Sequence, residues 1–383
     1  APGARNAGGA MRVGVLREIA EGETRVAAVP STVRRLVELD LQVAVQAGAG
    51  IQAGFDDDQY RQAGAAVDPS AETVLGGADL VLKVRPPRAD GPGGCDEVAR
   101  LPAACTLIAL LDPLRDPRPA ARLAEAGVNS FSLDLLPPIA RARAMDAAAS
   151  MSSLGGYRAA VLATASLGRM IPMMMAPAGT FPAASALVVG AGVAGLQAVA
   201  TLRRFGAAVT AADVRAAAAE YAVSLGARAV VVAAPADQDD SFCRREQEYL
   251  LPYVRRADIV IAAARRPGRP APVLITQTMV EAMGRGAVVV DLAVTDGGNC
   301  TFSRPDQRVV HQGVTILAPT NAAAQVPAHA SMMIARHVLA FIEEWESKEA
   351  LDAHMASAHF QDIVPRLREF SAKPGDGTLF KQV

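Results

Sequence analysis

A chain of 383 residues is long enough for two domains of ordinary size, and a composition 51% hydrophobic but only 4% aromatic suits aliphatic strands under alanine-rich helices, an α/β arrangement. With 38 lysines and arginines against 39 acids, a net charge of −1, no overall field draws the chain to nucleic acid or anionic lipid. Cys95, Cys105, Cys243 and Cys300 stand too far apart for a zinc or redox pair, so they read as reduced thiols of a cytosolic protein and no metal is expected.

Residues 1–10 lack the apolar core of a signal peptide and read as a tail. Short apolar runs then alternate with amphipathic stretches: MRVGVL (11–16), STVRRLVELD (31–40), QVAVQAGAG (42–50), ADLVLKV (78–84), CTLIALL (105–111) and VNSFSLDLL (128–136). Strands separated in this way by helical segments predict a parallel sheet of βαβ units. The Pro- and Gly-rich tract 85–97 is a loop. From Asp146 to about Met170 a long Ala-, Ser- and Met-rich helix carries the chain to a second series. The uncharged run 171–201 exceeds a membrane span, but Pro172, Pro177 and Pro182 break its first half, and its second half is a strand, a turn and a helix start. No direct membrane insertion is expected.

The strands of the second series are ASALVVG (184–190), AAVTAAD (207–213), ARAVVVA (227–233), ADIVIAAA (257–264), GAVVVDLAV (286–294) and VTILAPT (314–320). A helix over 329–350, with Met333, Val338, Phe341, Ile342 and Trp345 at helical spacing, returns to the first domain. The expected architecture is two Rossmann-like, doubly wound parallel-sheet domains separated by a cleft: residues 11–140 plus 328–383, and residues 141–327 as a nucleotide-binding domain.

Gly190, Gly192 and Gly195 stand in G-x-G-x-x-G spacing between an apolar strand and an amphipathic helix, the context that gives this motif its meaning. Gly190 allows the tight turn, Gly192 lets backbone approach a pyrophosphate, and Gly195 lets helix and strand pack closely, while Val193 and Ala194 open the helix whose free N–H groups face the phosphates. Asp213 ends the next strand 18 residues after Gly195, where an acid accepts hydrogen bonds from a ribose diol and repels a 2′-phosphate; the pattern favours NAD(H) over NADP(H). Val214 follows it, and Arg215 weakens the preference slightly. A glycine turn without ligand and an ordinary solvated strand end are the alternatives. Ala264, Asp291 and Asn321, at later strand ends, are candidate site neighbours, with Asp291 equally readable as a loop anchor. The glycines of GGNC read as turn residues and Cys300 as a buried thiol. None of His311, His329, His337, His354 and His359 is placed for acid–base work.

These residues, together with ETRVA (23–27), AMDAAASMSSLGGYRA (144–159), MMMAPAGT (173–180), ADVRAA (212–217), PGRPAPVLIT (267–276) and VVDLAVTDGGNC (289–300), resemble the NAD(H)-binding domain of proton-translocating NAD(P) transhydrogenase and, more distantly, alanine dehydrogenase. The resemblance runs from Met11 to about Trp345. It implies a dimeric catalytic subunit that binds NADH and passes hydride to NADP⁺ on a separate NADP(H)-binding subunit. A membrane proton-channel subunit couples that transfer to proton movement, which puts this chain in the cytoplasm, peripheral to the inner membrane. Against alanine dehydrogenase, Arg85 stands at the position of its lysine and Leu110 at that of its histidine, and neither relays a proton; Arg25 retains the means to grip a carboxylate.

In the loop PPIARARAMDAAASMSS (137–153) the family pattern places residues around the nicotinamide, and the resemblance carries Asp146 and Arg141 over. Arg143 replaces a glutamine, Pro138 an arginine and Ala149 a serine. Arginine donates hydrogen bonds and cannot accept them, and it adds charge beside a ring that is cationic when oxidised. The family's mobile lid after the third strand of this domain is shortened or missing in APADQDDSFCRREQEYL (234–250). These departures support a second reading, a divergent NAD(H)-binding paralogue without catalysis; an amino or imino acid oxidoreductase is a third.

Overall fold

The computed structural model describes residues 10–344 except 90, 92, 93, 137, 138, 140, 233–239 and 267. Pro138, the lid segment, His354, His359 and the C-terminal forty residues therefore lie partly or wholly outside the described residues. What is described falls into two compact units, one running to Ser150 and resuming at Pro327, the other Met151–Val326. No described helix is long and apolar enough to cross a membrane.

The first unit is built on β1 (Arg12–Val15), β2 (Gln42–Gln46), β3 (Ala66–Asp68), β4 (Leu80–Leu82), β5 (Thr106–Ala109) and β6 (Asn129–Ser132). Between them run α1 (Pro30–Glu38), α2 (Asp57–Gln62), α3 (Ala71–Leu75), α4 (Glu97–Arg100) and α5 (Arg118–Glu125). The sheet is parallel, in the order β3-β2-β1-β4-β5-β6, the doubly wound arrangement expected. Its central strand β4 is buried along its whole length because helices cover both faces, so the apolar run shows no alternation.

A long helix, α6 (Ala147–Ser166), starts behind Asp146, whose carboxylate accepts the Ala149 N–H at 2.8 Å and so supplies the helix cap. The change from one unit to the other comes at Ser150, later than the expected 140/141. The cause is local. A 3-10 helix, Arg141–Met145, and the first turn of α6 are tied to the returning C-terminal helix through His337, whose Nδ1 lies 2.6 Å from the Ala144 carbonyl and whose Nε2 lies 2.7 Å from the Ser150 hydroxyl.

In the second unit, α6 leads to a hairpin, β7 (Met174–Ala176) and β8 (Gly179–Phe181), and then to β9 (Ser185–Val189), α7 (Val193–Arg204), β10 (Ala208–Asp213), α8 (Ala216–Ser224) and β11 (Arg228–Val231). There follow α9 (Asp240–Val254), β12 (Ile259–Ala262), α10 (Gln277–Glu281), β13 (Val288–Asp291), β14 (Arg308–His311) and β15 (Val314–Leu317), and the chain returns through α11 (Pro327–Glu344) to the first unit. The sheet order is β11-β10-β9-β12-β13-β15-β14, parallel except for the edge strand β14. Its core is aliphatic and fine-grained: Ala159, Ala160 and Ala163 of α6 and Ala198 of α7 pack without exposure against Val188, Ile261 and Val290. Small side chains let helices approach the sheet closely, which is how so few aromatic residues suffice.

Candidate dinucleotide site

The glycine turn joins β9 to α7 at the point where the strand order reverses, between β9 and β12. Gly190 has φ +92°, and a Cβ there would lie 2.8 Å from the backbone of Ala263 and Ala264, so both conformation and space demand glycine. At Gly195 a Cβ would stand 1.8 Å from the Gly190 carbonyl oxygen, an outright collision that keeps α7 seated on its own turn. Gly192 is looser: a Cβ there would meet only Arg215 Nη2, at 3.9 Å, an ordinary contact. It is the N-cap of α7 and has no side chain to cap the helix, so the first N–H groups at Val193 and Ala194 have no side-chain acceptor there. The Val193 side chain is exposed beside them.

Asp213 ends β10, 6% exposed, and reaches back to the turn: its Oδ2 accepts the Ala191 N–H at 2.7 Å. Arg215 supplies its remaining partners. The Arg215 N–H and Nε donate to Oδ1 at 2.8 and 2.9 Å, and Nη2 donates to Oδ2 at 3.0 Å. Burial pushes the Asp213 pKa up, but the Arg215 guanidinium and the two backbone N–H groups outweigh it and hold the carboxyl below its ordinary value. Arg215 thus engages both carboxylate oxygens with a side chain that is itself largely exposed. Val214, between them, is half-buried.

Ala264, after β12, is fixed at both backbone groups by Asn299, whose Oδ1 accepts its N–H at 3.0 Å and whose Nδ2 donates to its carbonyl at 2.9 Å. Asn299, fully buried, also donates to the Pro272 carbonyl at 2.8 Å. Asp291 is buried to 0% and spent on the same loop: it accepts N–H bonds from Ala293, Asn299 and Cys300 and the Ser303 hydroxyl at 2.6 Å. Both of its oxygens thus anchor the loop. Asn321 lies in the turn after β15, three strands along from β9. Cys300 stays a thiol, its pKa pushed up to about 11 chiefly by burial. Reasoning from sequence missed Asn299, although an amide directly after two glycines at a strand end was there to be read; it also missed Gly156, where a Cβ would lie 1.9 Å from the Ala194 carbonyl oxygen. That contact presses α6 against the first turn of α7 from behind.

In the first unit, Arg143 is exposed and makes no ion pair with a described residue, Asp146 holds the N–H of Ala149, and the Arg141 side chain lies outside the described residues. Arg25 is not open to a carboxylate ligand. It is 4% exposed and bound by both oxygens of Glu23, Nε and Nη2 each at 2.6 Å, with Arg85 Nε 3.8 Å from the same carboxylate. Next to them Lys83 is buried between Glu97 at 2.6 Å and Glu18 at 3.5 Å, its charge already paired inside the fold.

Residues 14–155 match the alanine dehydrogenase/PNT N-terminal domain and residues 159–366 the alanine dehydrogenase/PNT C-terminal domain. The chain is 39% identical over 351 residues to the first portion of the NAD(P) transhydrogenase alpha subunit of Rhodospirillum rubrum, covering 88% of this chain and 91% of that protein. Among solved structures, a transhydrogenase from Sinorhizobium meliloti matches with a TM-score of 0.78 at 38% identity, over 87% of this chain and 93% of that one. An L-alanine dehydrogenase matches with a TM-score of 0.76 at 25% identity, over 93% of this chain and all of the other. With both domain types matched in order along a doubly wound pair of sheets, the chain belongs to the alanine dehydrogenase/PNT family.

Proposed function

We propose that this protein is the NAD(H)-binding catalytic subunit of a proton-translocating transhydrogenase, exchanging hydride with NADP(H) held on a separate subunit. The observation that carries the reading is the glycine turn: Gly195 tolerates no Cβ against Gly190, Gly192 has only the end of the Arg215 side chain within contact, and Asp213 reaches the same turn through Ala191. Those residues suit a dinucleotide. The uncapped N–H groups at Val193 and Ala194 hold its pyrophosphate, and Asp213 takes the adenosine ribose once Arg215 has moved. Bound NADH supplies the hydride. Asp146, Arg141 and Arg143 are assigned to the nicotinamide end by resemblance, Asp146 keeping one carboxylate oxygen for the helix cap and the other for a ligand. A second copy of the chain and a membrane proton-channel subunit complete the proposed assembly, this chain remaining peripheral to the inner membrane on its cytoplasmic side.

The test is calorimetric titration with NADH, followed by transfer assays with and without the NADP(H)-binding and membrane subunits of a related enzyme. NADH binding with transfer only in the reconstituted system is the expected result; absence of NADH binding at about 1 mM overturns the reading. The non-catalytic alternative is favoured by Arg143 in place of a residue that both donates and accepts, and it predicts NADH binding with no transfer in any combination. Alanine dehydrogenase activity is disfavoured by Arg25, whose guanidinium is already spent on Glu23. L-Alanine with NAD⁺ is accordingly expected to yield no NADH.

A further inference from the structure

The loop after β12 and the first turns of α9 carry five arginines between them. Arg265, Arg266 and Arg269 follow the strand, and Arg244 and Arg245 lie on the helix. Between loop and helix is a cavity of about 550 Å³ lined by Cys243, Arg244 and Gln247 of α9 and by Arg266, Arg269 and the segment from Pro270 to Val273 of the loop. Among the described residues no carboxylate lines it. Arg265, just outside, is taken up by Asp296 at 2.5 Å, and the buried Glu246, although it feels the charges of Arg266 and Asp213, is not part of the lining. Arg244 and Arg269 make no ion pair with any described residue. Gln247 gives its amide N–H to the Val273 carbonyl at 2.7 Å, which braces the wall and leaves its amide oxygen free of that bond.

Arg244 and Arg269, without an ion pair among the described residues, repel one another across this cavity unless an anion joins them, and their planar forks match the oxygens of a phosphate. The volume is that of a small-molecule pocket rather than of a single ion. We propose that this cavity binds a phosphomonoester dianion carried on a small phosphorylated ligand, at a site separate from the pyrophosphate seat on the glycine turn. None of the residues that line the cavity belongs to the glycine turn or to the N-terminus of α7, where that seat lies. Its chemistry is shared by the 2′-phosphate of a nucleotide such as NADP(H) and by a free phosphorylated metabolite.

The experiment titrates the full chain with inorganic phosphate, adenosine 2′-monophosphate, NADPH and NADH at constant ionic strength, beside an Arg244→Gln/Arg269→Gln variant and a single Arg269→Lys variant. Phosphate and adenosine 2′-monophosphate are expected to bind and to lose roughly tenfold or more in affinity in the double variant, with NADH unchanged. Arg269→Lys keeps the charge, loses the fork and falls between. Parallel loss of NADPH affinity identifies the nucleotide 2′-phosphate as the source; unchanged NADPH affinity identifies a free phosphorylated ligand. Phosphate probes that bind no better than chloride, or equally well in the double variant, overturn the proposal. NADH titration in the same samples reads the dinucleotide site separately, so the two readings fail independently.

Discussion

Asp213 has two suitors, the ribose assigned to it in the proposed function and the guanidinium two residues on. Both of its oxygens are engaged by Arg215, so on that proposal dinucleotide binding begins by opening a partly exposed ion pair. Arg215→Ala removes that step, and NADH is expected to bind up to about tenfold more tightly while NADPH, now facing a bare carboxylate, binds less well. Calorimetry decides: weaker NADH binding by the variant means Arg215 itself grips the nucleotide. Glu246 lies near the same residues. Burial pushes its pKa up from an ordinary 4.5 to about 7, with Arg266 drawing it down and Asp213 adding to the rise. Because the folded chain holds this proton more tightly than the unfolded one, its contribution is full below the unfolded pKa of 4.5 and is lost as pH rises through about 7. Urea melts at about pH 5 and about pH 8 should therefore differ by order 2 kcal/mol more in the parent than in Glu246→Gln. Equal pH dependence in the two proteins would refute this. The Asp213 position was legible from spacing alone, whereas its occupation by Arg215 depends on side-chain direction, which spacing does not contain.

At the scale of elements, the crossing of α6 over α7 ties a structural helix to the nucleotide turn. Glycine inside a helix costs about 1 kcal/mol relative to alanine, and Gly156 is kept because any side chain there strikes the Ala194 carbonyl. Gly156→Ala is expected to lower stability by about 1–3 kcal/mol and to weaken NADH binding as the first turn of α7 shifts, read by chemical melts and calorimetry. A variant as stable as its parent would show that the crossing has slack. Apolar strands such as β9, β10, β12 and β13 are readable because burial on both faces leaves uninterrupted aliphatic runs. The strands that went unforeseen, β3, β7, β8 and β14, lie at sheet edges or in a hairpin with no fully buried residue. They hold no uninterrupted buried run to read, and their pairing is decided by the neighbour they lie against. His337 is the corresponding case in the first unit. A lone histidine on a helix announces nothing, yet it holds the Ala144 carbonyl and the Ser150 hydroxyl on either side of Asp146.

For the whole molecule, the β7–β8 hairpin presents Met173, Met175 and Phe181 to solvent, Met175 at 78% exposure, with Met170 beside it in the chain. Apolar side chains concentrated in this way mark an association surface more often than a solvent face. The proposed second copy accounts for it, and Met175→Asp/Phe181→Asp is expected to shift the protein from dimer to monomer in sedimentation while leaving NADH binding within about threefold. A monomeric parent, or a variant that still sediments as a dimer, would remove the hairpin from the interface. By itself, the order of apolar runs and glycines determined two doubly wound α/β units, a tight glycine turn at Gly190–Gly195 and an acid at the end of the following strand, because strand burial and tight backbone turns restrict residue type locally. Only the tertiary structure decided that Asp291 is consumed as a loop anchor, that Asn299 clamps Ala264, that Glu23 has taken Arg25, and that Arg244 and Arg269 line one cavity with no carboxylate among its described residues. Those facts depend on which side chains meet, whether within one loop or between separate ones, and a hydrogen bond or a charge pair is specified by that meeting and not by either residue alone.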